Sequence, residues 1–455
     1  MRKFILSVLL FFFVGSLVYS QTWQFDKLLI DFQKPNSNST GIHGVAVDPD
    51  GNIWIAVHRD LLGDTTFTAT GDTVVNVPII ILDPSGQPVS FSPLRVLEFD
   101  DGTKDTLSTA MGSGSRGIST GINGNILYTF YSEVYEIDYK TGKALKKFVP
   151  PVHGSLTEAV QSSDGNIVVG HVGAGHPYYL LDSDLNLIGN AIDTVRYINR
   201  SIAISENGKD LYTGSTWNGF GIVHYHSDAP GLVQFTPVDT LGNWHNVTYK
   251  DSVYETVNLW ASCLDFGPDG YLWAGDLRPD WSGPKGSMWY AFDVTTGKIV
   301  DSVGTQIELD SSNTPIWGDP ASGGVFSPRG AAWSPDGNTM YLADFDYNVV
   351  QIYDRVSVGV EKDGDAIPNS FSLTQNYPNP FNPTTVINFT IPKASNVTLS
   401  VYNMLGQEVA TLVNEQKPAG VYKATFDASQ LASGVYVYTL KAGNFIASKK
   451  MMLMK

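Results

Sequence analysis

The stretch GVAVDPDGNIWIAV at residues 44–57 decides the fold: a short apolar run, a turn built on Asp, Pro and Gly, then a second apolar run. The same arrangement returns as GISTGINGNILYTF at 117–130, EAVQSSDGNIVVGH at 158–171, SIAISENGKDLYTG at 201–214, CLDFGPDGYLWAGD at 263–276 and GAAWSPDGNTMYLAD at 330–344. Self-similarity at this spacing marks a repeat architecture whose units bury their faces against one another, so the middle of the chain reads as one closed array. Residues 116–149 hold a full unit: GISTGI, a glycine turn, NILYTFY, then EVYEIDY, the turn KTG and KALKKFV. Four antiparallel strands in sequence make one propeller blade. The last copy ends in NVVQIYDRV at 348–356, a third strand only, and TWQFDKLLIDF at 22–32 is expected to supply its fourth and shut the ring. The predicted fold is therefore all-β, a six-bladed β-propeller followed by a small C-terminal β-sandwich. Residues 59–112 are long enough for an extra hairpin, which leaves seven blades open.

Composition agrees with this class. Of 455 residues, 42% are hydrophobic and only 16% charged, with 44 glycines and 24 prolines to make turns. A net charge of −16 repels phosphate, which argues against nucleic acid and anionic membrane surfaces as partners. Residues 1–20 carry Arg2 and Lys3, the apolar stretch Phe4–Val18 and then small Ser20, the layout of a cleavable signal peptide. No other segment is apolar enough to span a bilayer, so no transmembrane segment is expected after cleavage. Cys263 is the one cysteine, which excludes an intrachain disulfide. The expected boundaries are 1–20 for the signal peptide, 21–357 for the propeller, 358–370 for a linker and 371–455 for the sandwich.

Antiparallel alternation sorts the connections onto two rims. Turns such as DPDG, SSDG and SPDG are short and fall on one rim, where their Asp, Asn and Gly residues suit tight-turn chemistry better than calcium binding. The long segments, 59–75, 103–115, 216–221, 243–258, 276–287 and 305–328, are predicted on the other. Eight residues ahead of each turn glycine stand His43, Arg116, Thr157, Arg200, Ser262 and Arg329. These open the inner strands and should ring the channel mouth on the long-loop rim, with arginines in alternate blades forming a cationic collar suited to carboxylate, sulfate or phosphate. Pairing of each arginine with a neighbouring acid is the alternative. Glu158 lies beside the ring, while His171, Asp276 and Asp344 end second strands on the same rim, where acid–base or divalent-metal chemistry is conceivable. Trp217 and Trp281, in long loops, are candidates to stack on sugars or anchor a peptide. No nucleophile elbow, HExxH or phosphate-cradling loop occurs.

The forms VDPDGNIWIA and WSPDGNTMYLAD make residues 22–357 resemble six-bladed propellers with NHL-like or gluconolactonase-like repeats. That likeness implies, for the gluconolactonase-like members, a metal held by Glu, Asn and Asp at the channel mouth. Here the first blade offers His43-Gly44 and no Glu, so that ligand set does not match; no metal ligands are assigned, and a divalent cation such as calcium stays open as a cofactor. The C-terminal segment resembles, more specifically, the sorting domain of the type IX (Por) secretion system of Bacteroidota and relatives. The resemblance rests on NYPNPFNP at 376–383, VYNMLGQEV at 401–409, GVY at 420–422, FDASQLASGVYVY at 426–438 and KKMMLMK at 449–455. It implies export through the periplasm and across the outer membrane, the secretion machinery as partner, a secreted or cell-surface location, and a tail that in that family is usually cleaved. The expected function is a noncatalytic binding module for a carbohydrate, peptide or anionic polymer. The rival is an extracellular hydrolase or lyase, or a metal-dependent lactonase-like enzyme, with its site at the channel mouth.

Overall fold

The computed structural model describes residues 23–32, 41–58, 65–67, 73–109, 114–215, 221–228, 234–249, 252–277, 288–304, 308–309, 315–316, 318–355, 360–362, 370–428, 431–443 and 445–454. The predicted signal peptide, Trp217 and Trp281 lie outside them. The chain falls into two compact units, Trp23–Val356 and Ser357–Lys455. Among the described residues no helix is long and apolar enough to cross a membrane.

Six blade sheets form the ring of the first unit, with smaller sheets beside them. Blade 1 is Ile42–Val47, Ile53–Val57 and Ile79–Leu82; blade 2 is Ser115–Thr120, Ile126–Phe130, Glu133–Ile137 and Ala144–Phe148. Blade 3 is Leu156–Gln161, Ile167–His171, Tyr178–Leu181 and Leu187–Ile192, and blade 4 is Asn199–Ile204, Asp210–Ser215, Ile222–His226 and Thr236–Leu241. Blade 5 is Ala261–Phe266, Leu272–Asp276, Met288–Asp293 and Lys298–Val303, and blade 6 joins Pro328–Trp333, Thr339–Asp344 and Val349–Arg355 to the N-terminal strand Trp23–Asp31. The N-terminal strand pairs antiparallel from Trp23 opposite Arg355 to Asp31 opposite Val349, so the two ends of the unit close the ring as the sequence predicts. Each inner strand packs on the inner strands of the blades before and after it, and Ile42–Val47 of blade 1 meets both Ser115–Thr120 and Pro328–Trp333. A Cβ on Gly330 would sit 2.8 Å from Gly44 Cα, which shows how closely the blades approach near the axis.

Burial explains the lack of alternation in the apolar runs. The second strands Ile53–Val57, Ile126–Phe130 and Leu272–Asp276 are buried at every position, because blades cover both sheet faces. Outer strands regain water, as Thr236–Leu241 does. Cys263 is buried, as expected of a small hydrophobe in an inner strand.

In blade 1 the repeated turn owes its geometry to Asp48. Asp48 Oδ1 accepts from the backbone N–H groups of Asp50 at 3.0 Å and Asn52 at 2.9 Å, and Oδ2 accepts from Trp54 Nε1 at 2.9 Å. In the other blades the third turn residue, Asn123, Asp164, Asn207, Asp269 or Asp336, accepts from the N–H two residues on. The turn glycines run at φ between 69° at Gly208 and 90° at Gly165, a region open to glycine at no steric cost. These side-chain oxygens cap turns.

Among the described residues two connections depart from the predicted sorting. Ser227 and Asp228 leave blade 4 on the turn rim, where the Ser227 N–H donates to the Lys209 carbonyl oxygen. The hairpin of Val96–Glu98 and Lys104–Thr106 runs down the outside of blade 2, where Phe99 bridges Ala144 and Lys143 Nζ meets Asp100 at 3.0 Å. Part of the segment predicted for the long-loop rim therefore covers a sheet edge instead. Thr65–Phe67, Thr73–Asn76 and Ser108–Thr109 form a small separate sheet, so residues 59–112 add satellites to the ring and no seventh blade among the described residues. Blade 1 has a broken fourth strand, in which Pro88 pairs with Leu82 and Leu94 with Ile79, because Pro88 and Pro93 carry no N–H for a ladder.

The second unit is two four-stranded antiparallel sheets around one core. One contains Val360–Lys362, Gly420–Asp427, Thr384–Ile391 and Ser372–Leu373, and the other Glu408–Lys417, Ser395–Tyr402, Gly434–Ala442 and Phe445–Leu453. Alternation is clean in Thr384–Ile391, which buries Ile387, Phe389 and Ile391 and turns the residues between them outward. Val360–Lys362, inside the predicted linker, pairs with Tyr422–Ala424 as an edge strand.

Candidate functional site

Each inner strand breaks register with its neighbour at one place. The breaks fall between Ile42 and Gly44, Ser115 and Gly117, Leu156 and Ala159, Asn199 and Ser201, Ala261 and Cys263, and Pro328 and Gly330. The residues left out of the ladder are His43, Arg116, Thr157 with Glu158, Arg200, Ser262 and Arg329. A bulge re-aims the side chain of its extra residue, so six bulges at one level turn the aligned sequence positions into a ring.

The charges in that ring feel one another. His43 is buried and its imidazole is held well below the usual histidine range, first by burial and then by electrostatic repulsion from His58, Arg329, Arg116 and Arg200. His43 is therefore neutral at neutral pH. Its ring lies 5.0 Å from that of His58, whose Nδ1 is 2.7 Å from the Ser115 carbonyl oxygen; a carbonyl only accepts, so the proton sits on Nδ1. Arg116 Nε donates to Ser155 Oγ at 3.1 Å. Arg200 is lowered by burial. Arg329 is lowered to about 10 by burial and by Arg200, and its Nε and Nη1 are buried with no hydrogen-bond partner among the described residues. Its guanidinium lies 5.4 Å from the centre of the Phe345 ring. No ion pair ties Arg200 or Arg329 to a carboxylate among the described residues.

The acids near the ring divide into two kinds. Asp344 is spent on the loop before blade 6: its Oδ2 accepts from the N–H groups of Phe326 at 2.7 Å and Ser327 at 2.9 Å, its Oδ1 from Tyr347 at 3.0 Å. Burial pushes it up to about 6 against the pull of those donors. Asp276 accepts from the Trp260 N–H at 3.1 Å. Glu158 is different. It is half-buried and raised well above the usual carboxyl range, by desolvation first and then by Asp265, which desolvation pushes up to about 8 while the Ala331 N–H, 3.1 Å from its Oδ2, pulls the other way. Asp265 is not among the residues expected from the sequence, although it stands where the other blades carry Ala46, Ser119, Val160, Ala203 and Ala332. His171 stacks on His176 with ring centres 3.9 Å apart, and burial plus that neighbour lower it to about 4.

The channel contains a cavity of about 350 Å³. Its walls include Thr120, Gln161, Ile204, Phe266 and Trp333, the last residues of their inner strands, together with Asp265, so it lies toward the turn rim and not at the arginine end. The structure thus brings together His43, Arg116, Arg200 and Arg329 at one level and Glu158 with Asp265 at the next.

Residues 375–454 match the family model described as the secretion system C-terminal sorting domain. The tail is that sorting domain. It marks the chain as cargo of the type IX (Por) secretion system, bound for the cell surface or for secretion. Two solved structures are similar in shape. One is PorZ of Porphyromonas gingivalis, described as an essential bacterial surface component of the type IX secretion system, at 13% identity and a TM-score of 0.40, covering 90% of this chain and 51% of its own. The chain therefore spans about half the length of that relative. The other is a gluconolactonase of Xanthomonas campestris, at 12% identity and a TM-score of 0.40, covering 72% of this chain and 88% of its own. No curated protein matches the chain by sequence.

Proposed function

We propose that the propeller is a noncatalytic recognition module, delivered by the sorting domain, that captures an anionic group of a carbohydrate, peptide or polymer with Arg116, Arg200 and Arg329. The observation that carries this reading is the Arg329 guanidinium, whose Nε and Nη1 are buried and lack a partner among the described residues. A buried cation without a partner costs stability, and an incoming carboxylate or sulfate would supply the missing acceptors in a fork-to-fork geometry. Arg200, half-buried and in no ion pair with a carboxylate among the described residues, supports a second contact. Neutral His43 keeps the collar from gaining a further charge at neutral pH.

The test is retention of full-length protein on an immobilised sulfated polysaccharide. Charge-assisted hydrogen bonds contribute about 1.5–3 kcal/mol each, so Arg116→Ala with Arg329→Ala should weaken binding by roughly tenfold or more. Retention equal to that of the unaltered protein overturns the reading. A second reading, an acid–base enzyme, draws support from the raised carboxyl groups of Glu158 and Asp265, the second of which lines the cavity. Chain-length analysis of a polysaccharide incubated with the protein and with Glu158→Gln separates the two: cleavage abolished by the substitution favours the enzyme.

A further inference from the structure

Blade 4 carries a second cluster of chemistry-bearing side chains on its outer strands. His224 and His226 are alternate residues of the strand Ile222–His226, which places both imidazoles on one sheet face. Asp210, on the neighbouring strand, stands directly opposite His226, and Asp239, on the strand beyond, directly opposite His224. Asp210 Oδ1 lies 2.9 Å from His224 Nε2 and 2.7 Å from His226 Nδ1. One ligand atom from each of Asp210, His224 and His226 falls within 4.8 Å of the other two.

The nitrogens on the far side of both rings also face carboxylates. His224 Nδ1 is 2.9 Å from Asp239 Oδ1, and His226 Nε2 is 3.5 Å from Asp228 Oδ1. A neutral imidazole has one N–H, so with an acid at each nitrogen one lone pair in every ring is aimed at an anion. A cation placed among Asp210, His224 and His226 resolves the conflict in both rings at once. It takes the lone pairs of His224 Nε2 and His226 Nδ1, and leaves the remaining N–H of each ring to donate to Asp239 and Asp228. Carboxylates that orient metal-binding imidazoles in this way recur in metalloproteins. The Tyr212 ring, stacked on His224 at 4.6 Å and 10°, fixes the plane of that imidazole. Two imidazole nitrogens and one carboxylate oxygen suit a zinc-class ion, for which ligand distances are about 2.0–2.2 Å. Side-chain exposure of 38% at His226 and 24% at Asp210 leaves room for water as a fourth ligand.

We propose that Asp210, His224 and His226 bind a divalent transition metal of the zinc class, with Asp239 and Asp228 holding the two imidazoles in register. The site is separate from the arginine collar and does not depend on the binding reading given above. Full-length protein stripped with a chelator should take up one equivalent of zinc in a calorimetric titration, and cobalt(II) should give the visible absorption of a low-coordinate site. His224→Gln and His226→Gln should each abolish both signals, and Asp239→Asn should weaken binding by about 10–100-fold with the stoichiometry unchanged. His171→Ala with His176→Ala, which removes the stacked pair on blade 3, should leave binding intact. Absence of saturable zinc uptake overturns the proposal, as does uptake by His226→Gln equal to that of the unaltered protein, or its loss in the blade 3 variant. Circular dichroism of each variant identifies any that fail to fold, and Asp239→Asn, on an outer strand, keeps the test decisive if a histidine variant does.

Discussion

At Asp265 the chain puts a carboxyl group among positions that its sister blades fill with small or apolar residues, and the consequence is a pH-dependent stability. Burial raises this carboxyl from the ordinary 3.8 to about 8, and Glu158 beside it moves in the same direction. In the folded protein Asp265 keeps a proton that the unfolded chain has already lost, so the contribution is fully present below the unfolded value and disappears as pH rises through the folded one. Unfolding free energy is expected to fall between about pH 4 and about pH 8, by no more than ~1.4 kcal/mol per pH unit for this group. Urea melts across that range check the slope. Asp265→Asn should flatten it, and a slope unchanged in that variant would show that Asp265 does not keep the proton. The same residue could have been found in the sequence by the alignment that located the arginines, since a lone acid in an inner strand is as anomalous as a lone cation.

The element that closes the ring is the N-terminal strand Trp23–Asp31. It covers the ladder of Val349–Arg355, and Trp23 inserts edge-on against Trp273 at 6.4 Å while the Arg355 guanidinium lies 5.9 Å from its ring centre. Removing residues 1–31 uncovers a buried, apolar edge with free N–H and C=O groups, the kind of edge that pairs with other chains. The shortened protein should self-associate in light scattering, whereas Trp23→Ala in the full chain should scatter as the unaltered protein does but lose about 3–5 kcal/mol in denaturant melts. A monodisperse, equally stable truncation would mean that the strand decorates the ring without closing it. The bulges belong to this scale too. They convert a sequence position into a collar by adding one residue per inner strand, two in blade 3 where Thr157 and Glu158 both leave the ladder.

Across the whole molecule, the export address occupies a unit of its own. The sorting domain has its own core around Phe389, Leu399, Val401, Tyr422 and Tyr438, so it does not need the propeller to bury its apolar faces. Deleting residues 371–455 should leave the thermal transition of the propeller where it was and, in a host with a type IX system, hold the protein inside the outer membrane. Fractionation of such cells checks this, and surface delivery of the truncated chain would show that the address lies elsewhere.

The sequence by itself determined the all-β class, the blades, the closing strand and the export tail, because each rests on local order: apolar runs of strand length, Asp–Gly turns and an uninterrupted terminal motif. It also aligned His43, Arg116, Arg200 and Arg329, since equivalent blade positions share one height around the axis. Only the tertiary structure decided that Nε and Nη1 of Arg329 lie buried without an acceptor among the described residues, that Glu158 meets Asp265, and that the cavity lies toward the turn rim. It alone also brought Asp210 and Asp239 to the two histidines of HYH. The physical reason is that burial and charge coupling depend on which side chains adjacent blades and strands present to one another, and those neighbours are far apart along the chain.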